Sequence, residues 1–199
     1  MMKKKGSASD HRGFTLMEFV IVVAIIALLI GIMAPQLMKY VEKSRAASDR
    51  QALEQIFKSC SYEYLTGDYT PGQLSSRYFN GIGSGGELPA SGVPILHIDR
   101  NGYISLNYAN NFAPGEFLYE SLAASGITTA SLKSGGSVRL FKSSTIRKLA
   151  GSGGLDIMMR FDTRQVLCMW VGSPAAADGS LSDSCVPDDE YVFGDYEYH

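Results

Sequence analysis

The chain of 199 residues is short of the residues that do chemistry: three histidines, three cysteines and one tryptophan. The histidines are His11, His97 and His199, too far apart to pair, and no Cys-x-x-Cys occurs. That excludes the usual zinc spacings. Serines are numerous but none sits in a nucleophile-elbow context. His97, between Leu96 and Ile98, reads as a strand residue. The chain is therefore expected not to be an enzyme and to carry no cofactor. No basic stripe or basic–aromatic alternation is present, so no nucleic-acid partner is expected. Gly81-Ile82-Gly83-Ser84-Gly85-Gly86 satisfies G-x-G-x-x-G, but that pattern has meaning only between a strand and a helix. Here Glu87-Leu88-Pro89 follows, and a surface loop is the better reading.

What the sequence has instead is one long hydrophobic run. From Phe14 to Ala34, 21 residues, only Thr15 and Glu18 have polar side chains. As a helix this run rises about 31 Å, enough for a bilayer core of about 30 Å. Lys3, Lys4, Lys5 and Arg12 precede it, and no basic residue follows until Lys39. That asymmetry keeps the N-terminus cytoplasmic and sends the remainder across the membrane. A secretory signal would be shorter and end in a small-x-small site; here Met33-Ala34-Pro35-Gln36 follows. A plain anchor explains the length but not Glu18. A carboxylate inside a span costs about 2.5–3.5 kcal/mol on insertion scales and marks function by default.

Gly13-Phe14-Thr15-Leu16-Met17-Glu18 resembles the class III signal of type IV pilins, G-F-T-L-[IL]-E, with Met17 as a mild variant. The apolar stretch after it, with its Gly31 and Pro35, is similar to the N-terminal helix of that family, and the close resemblance covers about residues 12–50. The resemblance implies cleavage between Gly13 and Phe14 by a membrane prepilin peptidase and methylation of the new Phe14 amine. An assembly platform with its ATPase would then draw subunits from the cytoplasmic membrane into a helical homopolymer outside the cell. In such a filament the Glu18 carboxylate of one subunit meets the Phe14 amine of a neighbour, neutralising two charges in an apolar bundle. Removing one partner of such a pair costs about 3–5 kcal/mol, so the pair sets stagger more than total stability. The expected function is a structural subunit of a pilus serving adhesion, aggregation or twitching. The alternatives are a minor pilin or pseudopilin of a secretion or DNA-uptake machine, or an anchored adhesin that never polymerises.

The organisation expected is a leader at 1–13, an apolar half-helix at 14–35, an amphipathic half-helix at 36–66, a Gly/Ser-rich connector at 67–94 and a globular part at 95–199. Leu53, Ile56, Phe57, Cys60 and Tyr64 recur on one helical face, suited to lie on a sheet. Pro35 removes a helical N–H and clashes with the preceding turn, and Gly31 weakens that turn, so a kink is expected there. The resemblance adds that Gly31 to Pro35 is where the helix melts in a filament. Strands are expected at 95–98, 103–106, 137–142, 156–161 and 165–171, with Asn101-Gly102 turning the first pair, and a helix at 114–124. Tyr191 and Phe193 suggest a last edge strand, against the alternative of an adhesive aromatic patch. The fold class is thus α+β: a long helix whose second half packs on an antiparallel sheet of about four strands.

The formal charge of −2 conceals a split. Residues 1–13 hold four basic residues against Asp10, so the rest carries −5. Cys168 and Cys185 bracket a Gly/Ser/Asp/Ala loop. A bridge there would be worth about 3 kcal/mol in the chain-entropy model, and some type IV pilins have a comparable C-terminal loop. Free thiols are the other reading. Asp178, Asp183 and Asp188 gather oxygen ligands of the kind calcium takes, and certain pseudopilins hold calcium in such loops. The order does not match an EF-hand, and a solvated acidic loop is the preferred reading, so no metal is expected.

Overall fold

The computed structural model describes residues 15–67, 69, 92–106, 113–127, 132, 138–151, 153–162, 165–172 and 191–194. The chain divides into two units, Met1–Val41 and Glu42–His199.

The helix α1 spans Leu16–Thr66 and continues through Pro35. Pro35 has no N–H to offer the carbonyl four residues back, that of Gly31, so the ladder loses one bond at this turn. In the first unit every described residue is exposed, including Phe19, Ile25, Leu28 and Ile32. Among the described residues α1 is the one helix long and apolar enough to cross a membrane.

In the second unit the elements after α1 are β1 (Val93–Ile98), β2 (Tyr103–Ser105), α2 (Phe117–Ala124), β3 (Val138–Arg139), α3 (Ser144–Ala150), β4 (Leu155–Phe161), β5 (Val166–Gly172) and β6 (Val192–Gly194). The strands form one antiparallel sheet in the order β3-β2-β1-β4-β5-β6. The α+β class is as expected, with six strands rather than about four, because the sheet is closed at its edges by strands of two and three residues. β4 and β5 pair along nearly their whole length, from Asp156–Gly172 to Phe161–Val166. β1 shifts register between Pro94 and Leu96, and is almost wholly buried.

The expected helical stripe is the one that packs. Leu53, Ile56, Cys60 and Tyr64 are buried in one cluster with Ile95, Ile98, Ile157, Met159, Met169 and Val171 of the sheet. Phe57 stacks against Phe193, centroids 6.4 Å apart. Tyr64 meets Phe161 edge-on at 5.3 Å and donates its hydroxyl proton to the Asp162 carbonyl at 2.7 Å. A buried tyrosine hydroxyl needs such an acceptor. Tyr191 and Phe193 are buried, so these two aromatics serve packing, not display.

A second cluster, Met158, Cys168 and Trp170, is buried separately, with Leu167 and Val192 against it. Met158, Trp170 and Val192 are register partners across three strands. Gly92, at φ +79°, is required here: a Cβ would stand 2.3 Å from the Trp170 ring. Gly194 is required likewise, at φ +91° and 2.3 Å from the Leu167 carbonyl oxygen.

The segment expected as a strand at 137–142 is shorter, and a helix not expected, α3, follows it. Among the described residues of that segment, Val138 and Arg139 pair with β2. The amides of 142 and 143 are taken by Asp49 of α1, which draws the chain off the sheet.

Candidate assembly site

The sole carboxylate of the apolar run is held at the mouth of α1. Thr15 stands just before the helix, and its backbone N–H and hydroxyl both donate to Glu18 Oε2, at 2.9 and 2.7 Å. In return the Glu18 N–H donates to Thr15 Oγ1 at 3.3 Å. This is a capping box: residues three apart satisfy each other's first-turn donors. Thr15-Leu16-Met17-Glu18 carries the [ST]-x-x-[DE] spacing that specifies it. Sequence reasoning had that signal available and assigned Glu18 only to a pairing between subunits. Both bonds from Thr15 fall on Oε2. The carboxylate is thus oriented within the subunit, at the helix end where the macrodipole favours negative charge.

Gly13 and Phe14, the expected cleavage position and methylated residue, lie outside the described residues. So do Asp178, Asp183, Asp188 and Cys185, and the Gly81–Gly86 pattern. Among the described residues no group of three or more His, Cys, Asp or Glu side chains could hold a metal ion. His97 sits in β1 opposite Asp156 of β4, its Nδ1 2.9 Å from Asp156 Oδ1, a cross-strand pair on a partly exposed face. Cys60 and Cys168 are buried free thiols. Burial pushes both up to about 12.

Two further carboxylates of α1 hold the globular unit to the helix. Asp49, at 1% exposure, accepts the backbone N–H of Lys142 on both oxygens, at 2.9 and 3.1 Å, and that of Ser143 at 2.8 Å. Glu42, seven residues earlier and two turns away on the same face, accepts the Ser144 N–H. Ser143 precedes α3 and has extended backbone angles. The first amides of α3, which no intrahelical carbonyl can satisfy, therefore end on acids of another helix. Hydrogen bonds from Ser144 hold the Glu42 carboxyl below its usual range. Asp49 falls within the amphipathic half-helix expected at 36–66, which gave it no role of its own. Its position was a signal: it lies four residues before Leu53, on the packing stripe.

Residues 8–34 match the family model described as the prokaryotic N-terminal methylation motif. This motif is the signature of the precursors of type IV pilins and pseudopilins, and it marks a structural subunit rather than an enzyme. The motif and the apolar helix are consistent with a precursor anchored in the membrane and processed by a prepilin peptidase. No curated protein and no solved structure matches the chain.

Proposed function

We propose that the chain is a prepilin whose mature form, beginning at Phe14, polymerises into a type IV pilus. Peptidase cleavage after Gly13 frees the Phe14 amine, which is then methylated. Subunits leave the cytoplasmic membrane through the assembly platform and its ATPase, and pack by the apolar first half of α1 into an extracellular filament that serves adhesion, aggregation or twitching. The observation that carries this reading is Glu18: one carboxylate in a membrane-grade helix, inside the methylation motif matched at residues 8–34.

The physical argument concerns two environments. The exposed isoleucines, valines and leucines of residues 19–32 are solvated by lipid in the precursor and by neighbouring helices in the polymer. Burying them in a bundle gains little over lipid, so association must use packing and polar pairing. Glu18, already oriented by Thr15, offers an acceptor to the Phe14 amine of a neighbour. That amine exists only after cleavage, which couples processing to assembly.

Shearing of cells tests the proposal. The expected result is extracellular filaments that contain this chain with N-methylated Phe14 as its first residue. Processed protein confined to the membrane would instead assign it to a pseudopilin or a non-polymerising anchored adhesin.

A further inference from the structure

Where α3 meets α1, the second unit gathers positive charge. Residues 138–155 hold Arg139, Lys142, Arg147 and Lys148 and no acid. Lys142 and Ser144 donate their backbone N–H groups to Asp49 and Glu42 of α1, so this basic segment is fixed on α1 at two points. Arg45 lies between those acids along α1, with Nη1 3.9 Å from Glu42 Oε2. The Glu42 carboxyl is lowered first by Ser144 and then, more weakly, by the charges of Arg45 and Arg147, so both guanidinium groups stand near it. The two acids do not cancel the patch. Asp49 is buried, and both acids are engaged by backbone amides. Lys142 and Lys148 are exposed and, among the described residues, have no carboxylate partner. The patch joins segments that lie 93 residues apart at Asp49 and Lys142, so no basic stripe shows in the sequence. Apolar area accompanies the charge. Leu149, beside Lys148, is exposed, and so is Tyr103, the register partner of Arg139.

We infer that this patch binds the phosphate headgroups of anionic phospholipids at the surface of the membrane that α1 enters. Guanidinium forks and lysine ammonium groups are the side chains that recognise phosphate. Exposed leucine and tyrosine beside them suit a membrane interface, where an apolar body and a charged rim are both accommodated. A soluble polyanion would use the charges and leave Leu149 and Tyr103 in water. The chain itself supplies proximity. Arg45 follows Ala34, the last residue of the apolar run, by eleven positions, and eleven residues reach at most about 40 Å fully extended. Such a tether keeps the patch at high effective concentration beside the lipid. Each lysine or arginine near an anionic surface adds about fivefold to binding, within a Debye length of about 8 Å at physiological salt. Binding of this kind rests on the membrane-anchored precursor and not on polymerisation. It seats the basic patch on the membrane until the subunit is withdrawn.

The test places the full-length chain in lipid nanodiscs, one set of phosphatidylcholine alone and one with phosphatidylglycerol added. Amide hydrogen exchange at residues 142–150 is read by mass spectrometry, with β4 as the internal reference. Exchange at 142–150 is expected to be at least about threefold slower in the anionic discs, with β4 unchanged. The slowing should vanish at 1 M salt, where the Debye length is about 3 Å. It should vanish too in the double variant Lys142→Gln, Lys148→Gln, which gives up about 25-fold in binding, and persist in Lys142→Arg, Lys148→Arg. Unchanged exchange in β4 shows that the variants fold. Equal exchange of the wild type in both discs would overturn the inference, as would slowing that survives high salt or the glutamine variant. Inorganic phosphate or a DNA duplex added to phosphatidylcholine discs is expected to change nothing. Slowing by either, as large as that by phosphatidylglycerol, would overturn the lipid assignment in favour of free phosphate or nucleic acid. A chain that does not enter the discs would overturn the anchored precursor, and this inference with it.

Discussion

The carboxylate of Asp49 on the long helix accepts the backbone N–H of Ser143 at 2.8 Å, and this contact decides where the sheet stops and a helix begins. Asp49→Ala would orphan the amides of 142 and 143, with Ser143 fully buried. An unsatisfied buried donor costs about 1–3 kcal/mol. The expected outcome is a clear fall in the Tm of the detergent-solubilised protein. Asp49→Asn keeps one acceptor oxygen and should fall less. The two Tm values, compared with that of the wild type, measure the difference.

Glu42 gives a pH dependence of defined sign. Its hydrogen bonds from Ser144 lower its pKa in the folded state, against an ordinary value of 4.5. Protons therefore bind the unfolded chain more readily. The stabilisation is present above the unfolded value and is lost as pH falls through the folded one. Glu42→Gln should lower stability at pH 7 by no more than about 0.3–1 kcal/mol, the range for an anion at a solvent-exposed helix N-terminus, because water screens this carboxylate. At pH 3 the difference should shrink. Thermal melts of both proteins at the two pH values measure it.

Thr15→Ala removes the hydroxyl that both donates to and accepts from Glu18. Loss of such a cap costs a helix about 0.5–2 kcal/mol. Amide hydrogen exchange in detergent should quicken at Leu16 to Phe19 and stay unchanged near Leu53.

Much of this architecture was legible because the period of the apolar residues changes along the chain. The run through Ala34 is apolar on all sides, whereas Leu53, Ile56, Cys60 and Tyr64 recur at helical spacing, and the structure buries these four and exposes the former. Alternation and the Asn101-Gly102 turn gave the β1–β2 hairpin. The helix α3 was missed because Val138 to Lys142 alternates like a strand; what ends that strand is Asp49, 93 residues away in sequence from Lys142. A competing long-range acceptor leaves no mark in a local pattern. Local signals for α3 itself were nonetheless present in Ser143 before it and Gly151 after it, at φ +53°. The role of Thr15 was also readable from its spacing to Glu18.

Cys60 and Cys168 are expected to behave as buried hydrophobes. With burial raising both thiols to about 12, almost no thiolate exists at pH 7–8, and the thiolate is the reactive form. Alkylation of these two residues by iodoacetamide, followed by mass spectrometry, should be negligible in the folded protein and rapid after unfolding.

On the proposed reading, Glu18 serves assembly by pairing with the Phe14 amine of a neighbouring subunit. It is tested most directly by measuring, for Glu18→Val, the processed subunit in the membrane and the filament recovered by shearing. Normal cleavage after Gly13 is expected, with a filament yield at least about tenfold below wild type, because an amine left unpaired in an apolar bundle costs several kcal/mol. Filaments at the wild-type level would contradict it.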